Sequence, residues 1–206
     1  VGNNGILTGS IFENKTKNKT LFIQKLNFTA LEILNNKSGM EYRRFGKTEK
    51  LLSVITLGGM RFKNGWEEPR REIPEATFEQ CREVVQLAFE AGINQIETTW
   101  VYKKSETVYG KVLNEELKIP RNSYHLMTKG HFFSAAEIRE KVEIQIKDLQ
   151  TDYLDFYGWH GMNNDEIMQQ ACKTSGPVEE LLKMKEEGII KHVGFSTHAP
   201  LNTIIK

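Results

Sequence analysis

From Val54 onward the chain alternates between helical hydrophobic periodicity and short strand-like runs, an order that restricts it to βαβ units around a parallel sheet. Strand patterns start near residues 54, 93, 124, 153 and 190. Helix signals fill the gaps. Thr77 and Gln80 have the spacing of a capping box before a stripe of Cys81, Val84, Val85, Ala88 and Phe89, closed by Gly92. A second helix starts near Ser105 with Val108, Val112, Leu113 and Leu117 on its apolar face. A third has the box Ser134 to Glu137 ahead of Ile138, Val142 and Leu149. The fourth opens at Gly176-Pro177, should bury Val178, Leu181 and Leu182, and ends at Gly188.

Two α/β architectures fit this order, an open doubly wound sheet and a (β/α)8 TIM barrel. The first strand ends in Leu57-Gly58-Gly59-Met60, and no G-x-G-x-x-G opens a helix there. That counts against a dinucleotide fold whose phosphates sit on the first turn and favours the barrel.

Ahead of this region the composition changes. Residues 1–39 hold seven Asn, five Lys and two acids, a net +3, whereas residues 40–206 come to 23 minus 25, or −2. The first segment is expected to be a poorly ordered extension, and Met40 reads as the start of the folded domain. The overall charge of +1 gives no electrostatic reason to expect nucleic acid as a partner. No apolar run approaches the roughly 20 residues of a membrane helix, so a soluble, cytoplasmic protein is expected. Cys81 and Cys172 lie outside any Cys-x-x-Cys spacing and are expected as packed free thiols. His125, His131, His192 and His198 show no metal-ligand spacing, so no metal site is expected.

In a parallel barrel the C-terminal strand ends form one rim, where polar side chains distant in sequence converge. Here those ends supply Glu97 followed by Tyr102, then Lys129, then His160. A carboxylate, a phenol, an ammonium and an imidazole together suit protonation of an oxygen. A phenol with a free pKa of about 10 is a poor acid at neutral pH, but a neighbouring ammonium favours its phenolate. Glu97 would balance that ammonium, and His160 would hydrogen-bond the same substrate oxygen. No side chain delivers hydride, so a nicotinamide cofactor is implied. Trp66, Trp100 and Trp159 read as core or pocket wall.

The segments MEYRRFGKTEKLLSVITLGGMRF, AGINQIETTWVYKKSETVYGKVL, LMTKG, LQTDYLDFYGWHGMNN and GIIKHVGFSTH, in this order, resemble the N-terminal part of the aldo-keto reductase superfamily. They are most similar to the subgroup with a C-terminal iron–sulfur-type cysteine extension. The resemblance implies a TIM barrel, incomplete here at about five βα units, with a short N-terminal β-hairpin under it. It also implies NADP-dependent reduction of a small aldehyde or ketone. In it Tyr102 is the proton donor, Lys129 the group that lowers its pKa, Glu97 the lysine's partner and His160 the orienter of the carbonyl. Ser196 matches the position that holds the nicotinamide carboxamide, and Gly59 and Met60 lie where the first loop approaches the nicotinamide ribose. Lys103 stands where the family usually has Gly, and Thr197-His198 where it has Asn.

Eight such units need roughly 270 residues, whereas residues 40–206 supply 167. The main phosphate-binding region for NADP(H) is therefore expected to be absent from this chain. Two function classes follow: an NADP-dependent carbonyl reductase represented by part of its barrel, or a truncated barrel without catalysis that acts in assembly or nucleotide sensing. An open five-stranded sheet exposes two unpaired edges, which makes self-association an expected property.

Overall fold

A computed structural model describes residues 39–205. The extension expected over residues 1–39 lies outside the described residues, Gly39 apart. The chain begins with an antiparallel hairpin, β1 (Tyr42–Arg44) and β2 (Leu51–Ser53), paired Tyr42 to Ser53. Five parallel strands follow in sequential order: β3 (Leu57–Gly58), β4 (Gln95–Glu97), β5 (His125–Gly130), β6 (Leu154–Trp159) and β7 (Ile190–Phe195). Between them run α1 (Glu75–Glu90), α2 (Ser105–Lys111), α3 (Ala135–Asp148), α4 (Asp165–Ala171) and α5 (Pro177–Glu186), with α6 (Leu201–Ile204) after β7. The protein is an incomplete (β/α)8-type barrel with an N-terminal hairpin. Among the described residues no helix is long and apolar enough to cross a membrane.

Local signals set most helix ends. The Ser134 side chain accepts the Glu137 N–H at 3.2 Å, and Pro177 opens α5. Gly92 and Gly188 sit just past helices with φ of +84° and +83°, a left-handed turn that glycine adopts without a Cβ clash. Thr77 and Gln80 are different. α1 starts earlier, at Glu75 after Pro74, and has no side-chain cap. The Thr77 hydroxyl donates to the Lys63 carbonyl at 2.5 Å, and Gln80 accepts the Lys63 N–H at 2.6 Å. The pair that reads as a helix cap therefore fastens the loop before the helix.

The core lies between the sheet and its helices, where Val85, Val108, Leu113, Leu126, Ile138, Leu149, Leu154 and Leu181 are fully buried. Val84 and Leu182, read from periodicity as buried, are 36% and 47% exposed. On α1, Cys81, Val85 and Ala88 cover the contact, leaving Val84 at its margin. Leu182 instead borders an apolar cleft of about 390 Å³ shared with Trp159, Met162, Val178, Phe195 and Ile204. Of the two thiols, Cys81 is packed and held protonated by burial, whereas Cys172 is exposed.

The hairpin is tied to the N-terminal ends of the strands. The Tyr42 hydroxyl donates to Gly92 O at 2.6 Å, and the Asn94 side chain bonds both Ser53 N and Leu51 O. Also at that end, Asp155 is buried and accepts from Arg121 at 2.7 Å and from Leu126 N at 3.0 Å. Burial opposes its ionisation, but the hydrogen bonds from His125 and Leu126 N and the Arg121 charge outweigh this and bring its pKa down from 3.8 to about 2. Because the folded-state value is the lower one, this stabilisation is complete above the unfolded pKa and is lost as pH falls through the folded value. We predict that about 2 kcal/mol of stability disappears over that acid window, and that Asp155→Asn abolishes this step in denaturant titrations from pH 6 to 2. An equally steep acid loss in the variant would refute the assignment.

Candidate active site

The side chains of β4 to β7 alternate between the helices and the barrel interior, which sorts the rim residues. Thr98 faces α2, its hydroxyl donating to Ser105 Oγ at 2.7 Å. Glu97 and Thr99 take the opposite side, with Lys129 on the neighbouring strand. Lys129 is buried and donates to the Glu97 carboxylate, forming an ion pair across β4 and β5. Lys129 pairs in register with Gly158 on β6, where a Cβ would come within 2.9 Å of Lys129 Cγ. Gly158 thus leaves room for the lysine stem.

His160 follows β6 and is half-buried. Its Nδ1 lies 3.1 Å from Thr99 Oγ1, and the Thr99 hydroxyl donates to the Lys129 carbonyl at 2.9 Å. Burial is the main cause holding its pKa below 6.5, reinforced by Lys129, His131 and His198 and opposed by Glu97. His131 lies 6.0 Å away, centroid to centroid, and His198 lines the same cleft of about 300 Å³ together with Phe133 and Asn163. Three histidines with no spacing signal in the sequence therefore meet at one site. Among the described residues, however, no cluster of His, Cys, Asp or Glu has the makings of a metal site.

Tyr102 ends a 3-10 turn (Trp100–Tyr102) whose first contact is the Tyr102 N–H to Thr99 O bond at 3.0 Å. Its ring packs on Trp66 at 5.4 Å, with the Trp66 indole donating to Met60 O at 2.9 Å. Trp66 reaches the tyrosine because its loop is anchored from α2's side: Lys104, buried, donates to Pro69 O at 2.5 Å and Glu72 O at 2.6 Å. Trp100 instead carries the Arg70 guanidinium at 3.9 Å, and Trp159 is buried on the helix side of β6, beside the apolar cleft. Lys103 adopts φ +48° and ψ −99°, a conformation unusual for a residue with a Cβ, and pairs with Glu68 at 2.7 Å.

Of the remaining predicted positions, Gly59 donates its N–H to Glu97 O at 3.0 Å. A Cβ there would lie 2.0 Å from Ser105 Oγ and 2.7 Å from the Tyr109 ring. Met60 is 39% exposed at the loop's start. Ser196 follows β7 and accepts the Gly161 N–H at 3.2 Å. The structure thus joins Glu97 to Lys129 directly and His160 to Lys129 through Thr99. Thr99, His131 and His198 are the participants that sequence reasoning missed, and the two-residue alternation from Glu97 pointed to Thr99 alone. Trp66, read as core or pocket wall, is exposed and packs on Tyr102.

Comparison with known proteins bears on the family and the fold. The chain is 29% identical over 153 residues to D-arabinose 1-dehydrogenase of Saccharomyces cerevisiae, covering 70% of this chain and 43% of that protein. It is 29% identical over 171 residues to L-galactose dehydrogenase of Arabidopsis thaliana, covering 79% and 50%. The holo structure of the aldo-keto reductase AKR11C1 from Bacillus halodurans superposes with a TM-score of 0.58 at 26% identity, over 77% of this chain and 51% of that one. The chain therefore spans about half the length of the curated relatives it matches. The family model for the aldo/keto reductase family matches residues 54–204, and the chain belongs to that family of oxidoreductases.

Proposed function

We propose that this chain carries the catalytic rim of an NADP-dependent reductase that converts an aldehyde or ketone to an alcohol, with Tyr102 as proton donor. The observation that carries this reading is the Lys129–Glu97 ion pair, set at the strand ends beside His160 and three residues from the turn bearing Tyr102. A bound nicotinamide would supply the hydride to the carbonyl carbon. Tyr102 gives its proton to the carbonyl oxygen, and the Lys129 ammonium stabilises the phenolate left behind. Glu97 keeps that ammonium in place, and His160 orients the substrate oxygen from the other side.

The residues present fit the nicotinamide end of the cofactor. Ser196 Oγ accepts a backbone N–H, which leaves its own proton to donate to a carboxamide oxygen. Gly59 and Met60 would border the ribose, where the lack of a side chain at Gly59 keeps the loop tight against α2. Both curated relatives are named for oxidation of a sugar, so small polyhydroxylated carbonyls and alcohols are the first substrate class to assay. Among the described residues β3 and β7 each pair on one side only, which supports self-association as part of the same reading.

The test is a titration of the full chain with NADPH and NADH, following the fluorescence of Trp66, Trp100 and Trp159, and then an assay of carbonyl turnover. Saturable quenching with tighter binding of NADPH is expected. Absence of quenching by either nucleotide would overturn the reading and leave a barrel segment without cofactor.

A further inference from the structure

Thr99 is buried, and its hydroxyl has one proton to give and two neighbours that compete for it. The Lys129 carbonyl, 2.9 Å away, can only accept. If the hydroxyl instead donated to His160 Nδ1, an oxygen lone pair would face that carbonyl at close range with no proton between them. The bond to Lys129 O therefore takes the Thr99 proton, and the contact to His160 at 3.1 Å requires the proton to be on Nδ1.

We propose that Thr99 is a positioning residue that fixes neutral His160 as its Nδ1–H tautomer, so that Nε2 meets the substrate oxygen as an acceptor. In this state the imidazole holds an alcohol hydroxyl. It donates to a carbonyl oxygen only after protonation to imidazolium. The charged and titratable groups facing the ring are Glu97 from β4, Lys129 from β5, His131 from the loop after β5 and His198 from the loop after β7. Burial disfavours the imidazolium most, and Lys129, His131 and His198 add to that effect against Glu97. The substrate half of the inference rests on the proposed reductase reading; the tautomer half does not.

Long-range 15N–1H correlation spectra of the full chain labelled with [15N]histidine, above pH 7.5, read the tautomer without substrate or cofactor, and a His160→Gln variant assigns the signals. We expect a protonated-type Nδ1 shift and an unprotonated-type Nε2 shift in the wild type. Thr99→Ser should retain that pattern, and Thr99→Val, which removes the acceptor, should move it toward Nε2–H. An Nε2–H tautomer in the wild type overturns the proposal, whether or not the valine variant folds; so does an identical pattern in wild type and a folded Thr99→Val. In turnover assays, reduction by the wild type should fall as pH rises through the His160 titration, and Thr99→Val should flatten that fall. A chain with the Nδ1–H tautomer but no turnover overturns the reductase reading alone. Turnover with an Nε2–H tautomer overturns this inference alone.

Discussion

Tyr102→Phe is expected to lower kcat/KM for carbonyl reduction by about 100- to 10,000-fold, the usual contribution of a positioned general acid, while NADPH affinity stays unchanged. The prediction follows from what the substitution removes. Only the hydroxyl is lost, and the ring remains to pack against Trp66. The hydroxyl has no hydrogen-bond partner among the described residues, so its loss leaves no protein group unsatisfied. The effect should therefore fall on kcat, where proton delivery matters, and not on folding or cofactor binding. Steady-state kinetics together with the nucleotide titration decide the matter: retained turnover, or a parallel loss of NADPH binding, would each remove Tyr102 from the proposed role.

The second large effect concerns stability. Gly110→Ala is expected to destabilise the fold by about 3 kcal/mol, at the upper end of overpacking costs. Helix propensity points the other way, since alanine in a helix interior is favoured over glycine by about 1 kcal/mol. Packing decides the sign. A Cβ on Gly110 would lie 2.2 Å from Asp148 O and 2.9 Å from the Leu149 carbonyl carbon. Both are backbone atoms at the end of α3, and they cannot swing aside as a side-chain tip would. Asn114 holds the same junction, donating to Gly110 O at 2.9 Å and Leu149 O at 3.3 Å. An unchanged midpoint in urea unfolding would show that α2 and α3 can separate without loss.

The networks behind the rim explain why its geometry is held. Glu106 is buried, and burial raises its pKa against the opposing hydrogen bonds and charge of Thr128, Arg70 and Gln145. Gln145 also donates to Lys129 O at 3.2 Å and accepts from the Tyr157 hydroxyl at 3.0 Å. The strand bearing Lys129 is thus fastened from the helix side by one connected set of polar groups, in which the loss of one member leaves others buried without partners.

What could be read from the sequence alone was whatever depends on neighbours a few residues away. The alternation of periods placed five parallel strands, and Ser134, Pro177, Gly92 and Gly188 marked helix ends, because a cap involves only residues within one turn. The pairing of Glu97 with Lys129 was also legible, since each ends a strand and successive strands in this order are adjacent. Tertiary structure decided the rest. The same two residues that spell a capping box, Thr77 and Gln80, bind Lys63 because a loop comes within reach of them. Trp66 meets Tyr102, and His131 and His198 meet His160, through chain paths that no local pattern encodes. Thr99 looks like any strand-end threonine until strand register sets its one proton between a carbonyl and an imidazole. Local hydrogen bonding and side-chain periodicity are short-range properties of the chain, whereas the direction of a single proton depends on every acceptor the fold brings near it.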